Sequence, residues 1–364
     1  MQRFQILSKE QIEKIHEATL EMLEKTGVAF RYQPALEVLA KAGCKVEGET
    51  VFFPRKLVEE QVKKAPSQFT LHARNPEKNL TIGGDNMVFS PGYGAPFITD
   101  LDKGKRKGTM EDYENLTKLA GASPYQDLTG GILVEPNDVP YDRRHVEMVY
   151  ACIKNSDKCF MGSSYGEKNA KDIVEMASIL FGSEWDLVEK PALITLINSI
   201  TPLIFDDRML GALMEYARTG QAVVVTSLAM AGATSPATLA GTLVVQNAEV
   251  LSGIVLTQLI REGTPVVYGS ASSVTEMSNG SLTIGAPEMA IIANVSAQIA
   301  RYYGLPCRGG GAITDTKVPD AQAGYESMMN LLMANASGIN FVLHSAGILE
   351  SYNVMSYEKF IIDH

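Results

Sequence analysis

The chain has 364 residues, 45% of them hydrophobic and 20% charged, which is the balance of a globular protein with a large buried core. Its formal net charge of −10, with no basic stripe to offset it, excludes a nucleic-acid binder. Four cysteines (Cys44, Cys152, Cys159, Cys307) without paired spacing exclude a disulfide framework and a zinc cluster, and free thiols point to a reducing cytoplasm.

Ser8 with Gln11 makes a capping-box pattern, and Ile12, Ile15, Ala18, Leu20, Met22 and Leu23 carry helical periodicity to about Lys25. A short helix over Pro34 to Ala42 ends at Gly43. Thr70–His72 and Leu80–Ile82 flank a turn-rich link and predict one hairpin, and Phe97–Thr99 with a tip near Gly104 predicts another. Residues 1–108 therefore read as a cap of helices and small hairpins. The basic cluster Lys103 to Lys107 sits at the second tip as a solvated turn.

From about Thr109 the pattern is regular. Strands are predicted at Gly131–Val134, Cys159–Gly162, Ala192–Ile197, Ala222–Ser227, Pro265–Gly269, Leu305–Arg308 and Asn340–His344. Helices are predicted between them over Asp142–Ile153, Lys168–Leu180, Asp207–Arg218, Ala237–Arg261, Pro287–Tyr303 and Asp320–Ser337. Apolar strands alternating with amphipathic helices imply a parallel sheet covered on both faces. The expected fold is a (β/α)8 TIM barrel over residues 109–364, with an eighth strand from Met87–Phe89 or from sequence beyond 364. An open doubly wound sheet is the alternative, but its Gly-x-Gly-x-x-Gly turn is absent. The charge-free run Gln221–Ala248 is broken by Thr226, Ser227, Pro236, Gln246 and Asn247, so it reads as buried barrel wall and not as a membrane span. Tyr357–His364 is a periodic element without a cap, which predicts that the natural chain continues.

In such a barrel the chemistry sits at strand C-termini. Arg308, beside Gly309, Gly310 and Gly311, can present its fork to a carboxylate where backbone also comes close; pairing with Asp315 or Asp320 is the competing role. Gly309–Gly311 could also form an anion nest. His344 ends an apolar strand, as a satisfied core histidine or as a contact at the barrel mouth. Tyr93, Phe97, Phe205, Tyr268 and Tyr352 stand in loops or at strand ends, as plain packing or as a cage for a quaternary ammonium group. The five histidines have no metal-ligand spacing and no nucleophile elbow occurs, so no catalytic residue is singled out.

The stretch Gly304–Lys317, continued through Asp320–Glu326 to Asn340–Ser351, resembles the trimethylamine methyltransferase superfamily. The N-terminal helix from Ile12 to Gly27 and Gln246–Leu251 are similar too, and the likeness spans essentially the whole chain. It implies a barrel enzyme that passes a methyl group from an amine to cob(I)alamin (cobalamin) carried by a separate corrinoid protein, with no metal bound directly and with a homo-oligomeric assembly. The founding archaeal enzyme carries pyrrolysine just after the strand that here reads Asn340–His344, where this chain has Ser345, Ala346 and Gly347. That departure points to the branch using quaternary amines, with glycine betaine the expected donor and dimethylglycine the product. Proline betaine, carnitine and γ-butyrobetaine are alternative donors, and a non-catalytic betaine-binding paralogue is the alternative from another class. The resemblance implies substrate handling by Arg308 and His344.

Overall fold

A computed structural model describes residues 3–364. Its centre is a parallel seven-stranded sheet of β1 (Val88–Ser90), β2 (Phe160–Met161), β3 (Leu193–Asn198), β4 (Ala222–Ser227), β5 (Val266–Ser270), β6 (Cys307–Gly310) and β7 (Phe341–Leu343), in the order β1-β7-β6-β5-β4-β3-β2. The fold is thus mixed α/β, with helices Tyr141–Asn155, Glu167–Phe181, Asp207–Arg218, Leu239–Ile260, Pro287–Tyr302 and Ala321–Ser337 lying between successive strands. Several of these helices stop at a left-handed glycine, as at Gly338 with φ 69°.

Gly131–Val134 is not a strand; Ile132, Leu133 and Val134 are apolar but buried in a loop. The sheet contact falls earlier, at Leu128, which bridges in parallel to Cys159. The same segment reaches the opposite edge: the amides of Asp127 and Leu128 donate to the Phe89 carbonyl at 2.9 and 3.3 Å, while the Thr129 amide donates to Cys159 at 3.0 Å. The strand expected at Met87–Phe89 is present as β1, which pairs Val88 with Phe341 at the edge of the main sheet.

The two sheet faces have separate cores. Val223, Val225, Val266, Tyr268 and Cys307 pack with the helices. Val224, Val267, Phe341 and Leu343 point the other way, into a smaller cluster with Met161 and Leu196. That inner cluster is floored by the hairpin Gln68–Leu71 with Leu80–Gly83, whose Leu71 and Ile82 join it. The helix Leu239–Ile260 is long and apolar enough to cross a membrane, but 78% of its most apolar window is buried inside the protein. It packs against the N-terminal helix Lys9–Lys25, where Asn247 Nδ2 donates to Thr19 Oγ1 at 2.9 Å.

Candidate active site

Arg308 lies on β6 with its side chain on the inner face, 1% exposed. A charged residue in an apolar strand must be held by hydrogen bonds. Its Nη1 donates to the Ser270 carbonyl at 2.6 Å, at the end of the neighbouring β5. Its Nη2 lies 3.1 Å from Nδ1 of His344. Arginine only donates, so Nδ1 must be the lone-pair nitrogen and Nε2 must carry the proton. Nε2 then donates to the Tyr93 carbonyl at 3.1 Å. Both ring nitrogens of His344 are thereby used, and the residue orients Arg308.

Burial and then the neighbouring guanidinium push the His344 pKa down to about 3, so the ring is neutral at ordinary pH. Burial also draws the Arg308 pKa down, yet a guanidinium stays charged in a protein. Among the described residues no carboxylate forms an ion pair with Arg308, and its Nε is buried without a partner. The competing partners are engaged elsewhere. Asp315 accepts from the amides of Ile284 and Gly285 at 2.9 and 2.8 Å and from Ser351 Oγ at 2.6 Å. Asp320 caps the helix Ala321–Ser337 by accepting from the Ala323 amide at 3.0 Å.

Tyr352 completes the cluster. Its ring centroid is 4.5 Å from that of His344, and its buried hydroxyl has no hydrogen-bond partner. Burial raises its pKa to about 12, against the pull of the positive Arg308. His344 (φ 64°), Glu350 (φ 49°), Ser351 (φ 51°) and Tyr352 (φ 74°) are all left-handed without being glycine. Such backbone costs of order 1–3 kcal/mol per residue and persists where the surroundings over-determine it. Here Thr316 and Thr314 carbonyls hold the Glu350 and Ser351 amides, at 3.0 and 3.2 Å.

The other predicted residues divide. Tyr93 is at the site through its carbonyl, and burial lifts its hydroxyl to about 12. Tyr268 faces outward among the helices, with Gln246 Nε2 donating to its hydroxyl at 3.4 Å. Phe205 is buried against Phe30, ring centroids 5.4 Å apart. Phe97 lies beneath the Lys105 ammonium, 4.9 Å from its ring centre. Tyr268 and Phe205 are not gathered with Arg308, whereas the Phe97 amide donates to the carbonyl of Asn353, next to Tyr352, at 3.2 Å. Gly309 and Gly310 are strand residues in register with Val342 and Leu343, not a loop nest. A side chain on Gly309 would begin 2.3 Å from Ile339, and one on Gly310 2.8 Å from Ile313, so close packing requires the glycines. Among the described residues no three His, Cys, Asp or Glu side chains converge as a metal would require.

Sequence reasoning missed the acceptor carbonyls of Ser270 and Tyr93, which carry no side-chain signal. It also passed over Thr226, whose buried hydroxyl lacks a partner. Ser345, which follows His344, is committed to structure: its hydroxyl donates to the Ser90 carbonyl at 2.8 Å and lies 2.7 Å from Gln126 Oε1.

The trimethylamine methyltransferase (MTTB) family profile matches residues 1–364. The chain is 59% identical over 361 residues to the glycine betaine methyltransferase of Desulfitobacterium hafniense (strain Y51), covering 99% of this chain and 75% of that one. It is 34% identical over 369 residues to the proline betaine:corrinoid methyltransferase of Eubacterium limosum, covering 98% of this chain and 75% of that one. The crystal structure of the Methanosarcina barkeri monomethylamine methyltransferase is similar with a TM-score of 0.65 at 10% identity, covering 99% of this chain and 73% of that one, a likeness of fold alone.

Proposed function

The chain belongs to the trimethylamine methyltransferase family, and on that footing we propose that it moves a methyl group from glycine betaine to cob(I)alamin on a separate corrinoid protein, releasing dimethylglycine. The observation that carries this reading is the 59% identity to a glycine betaine methyltransferase over 99% of the chain. We infer also that the sheet closes as a (β/α)8 barrel, with residues 127–130 standing as its remaining strand. Support comes from that segment's hydrogen bonds to Phe89 on one edge and Cys159 on the other.

A buried guanidinium without a carboxylate, such as that of Arg308, is costly. A ligand carboxylate supplies the missing charge and can take the free Nε–H. His344, neutral and fixed between Arg308 and Tyr93, holds the fork in position. Tyr352 and Tyr93 are aromatic groups within the same cluster, suited to a methylated cation. Cobalt chemistry belongs to the partner and enters as a co-substrate. A quaternary nitrogen keeps the electron pair of the broken N–CH3 bond and departs as a neutral tertiary amine, so no acid is required. What this chain contributes is alignment of the methyl group and exclusion of water.

The test is turnover. The purified chain, its cognate corrinoid protein in the cob(I)alamin state and either glycine betaine or trimethylamine are mixed, and corrinoid methylation is followed by absorbance. Methylation with glycine betaine and not with trimethylamine is expected. Methylation with trimethylamine alone would overturn the reading.

A further inference from the structure

Thr226, Gly269 and Arg308 occupy one level of three adjacent strands: Thr226 is in register with Gly269, and Gly269 with Arg308. Side chains alternate along a strand, so Thr226 and Gly269 share the inner face with Val224 and Val267. A side chain on Gly269 would begin 2.0 Å from Oγ1 of Thr226 and 2.8 Å from the Val225 carbonyl oxygen. The space over Gly269 is therefore filled by the Thr226 hydroxyl, which leans across β5 toward the strand of Arg308. That hydroxyl is buried with no hydrogen-bond partner, and so is Nε of Arg308. Buried polar atoms are nearly always paired, so two unpaired donors on either side of one glycine call for a shared acceptor.

The rest of the guanidinium narrows what that acceptor can be. Nη1 and Nη2 each spend one N–H, on the Ser270 carbonyl and on His344, while Nε is the one guanidinium nitrogen with no partner at all. The carbonyl of Thr226 is likewise satisfied, by the Ser199 amide at 3.0 Å, so only its hydroxyl is free. A hydroxyl and a guanidinium N–H facing one site suit an anion with two acceptor oxygens.

We propose that Thr226 is a second anchor for the carboxylate of the substrate, its O–H donating to one oxygen while Arg308 Nε–H donates to the other. This rests on the reading that the ligand is a carboxylate-bearing quaternary amine. Gly269 is then the position that lets both donors reach one carboxylate. The site recognises the acid end of the ligand through two strands, and selects against quaternary amines that lack an acid group.

The experiment is calorimetric titration of the full chain with glycine betaine, for the parent protein, Thr226→Val, Thr226→Ser and Arg308→Lys, with melting temperatures recorded alongside. Valine keeps the shape and removes the hydroxyl. Thr226→Val should weaken betaine binding by roughly 10- to 100-fold, the loss of one hydrogen bond to a charged group. Thr226→Ser should restore most of it, and the melting temperatures of both should match the parent. Parent-like affinity in Thr226→Val, with binding lost in Arg308→Lys, overturns the proposal and leaves the betaine reading standing. Parent-like affinity in both variants overturns the reading together with the proposal. Equal weakening by valine and serine assigns Thr226 to packing and also overturns the proposal.

Discussion

His344 should make the protein acid-sensitive in a way one substitution can isolate. An unperturbed histidine titrates near 6.5, and burial beside Arg308 lowers His344 to about 3. The sign follows from linkage. Below pH 6.5 the unfolded chain takes up a proton that the folded chain refuses until about pH 3. Stability from this group is therefore present above pH 6.5 and is lost as pH falls through that window, by about 1.4 kcal/mol per unit. Between pH 7 and pH 5 the loss from this residue is about 2 kcal/mol. His344→Asn suits the left-handed backbone at φ 64°, which asparagine tolerates, and removes the titrating ring. Urea unfolding of both proteins at pH 7 and pH 5 gives the comparison. The variant starts less stable, because Arg308 loses a partner, but its decline from pH 7 to pH 5 should be about 2 kcal/mol smaller than the parent's. Equal declines would show that His344 titrates normally in the folded chain, and the geometry drawn around Arg308 would be wrong.

Other outcomes follow from the packing. Tyr268→Phe and Phe205→Leu should each leave the KM for glycine betaine within about twofold of the parent, since both pack among the helices outside the Arg308 cluster; a tenfold rise in either would return that residue to the site. Glu249 is fully buried and accepts from Ser199 Oγ, Thr201 Oγ1 and the Leu203 amide. Glu249→Gln should cost about 1–3 kcal/mol in urea unfolding by turning one of those acceptors into a donor. Lys359 is 1% exposed and donates to Asp363 and to the Ala312 carbonyl beyond β6, while Asp363 accepts from the Gly347 amide beyond β7. Lys359→Met leaves that carboxylate buried and unpaired, so a loss of about 3–5 kcal/mol is expected, and an unchanged melting temperature would refute the pairing.

Much of the fold was legible because local signals agree with tertiary demands. Ala222–Ser227 and Asp207–Arg218 fall where predicted, since a run of valines and an amphipathic segment meet at Gly220, whose φ of 70° favours glycine. Gly131–Val134 failed for the opposite reason: three apolar residues can be buried in a loop, while the sheet contact passes through Leu128 between Asp127 and Thr129. Arg308 was legible as a cation in an apolar strand. Its lack of a carboxylate was not, because that depends on where Asp315 and Asp320 are spent. Tyr268 was misplaced because a strand covered on both faces shows no polar alternation to tell inner from outer. Thr226 and Tyr268 sit on adjacent strands, one facing in and one out, and only the sheet register separates them.

On the proposed reading, Arg308 is a buried cation whose missing counter-charge is the carboxylate of a betaine. Calorimetric titration of the parent chain with glycine betaine and with tetramethylammonium, which has no carboxylate, tests it most directly. Glycine betaine should bind saturably and at least about tenfold tighter than tetramethylammonium. Equal affinity for the two, or binding of tetramethylammonium alone, would contradict it.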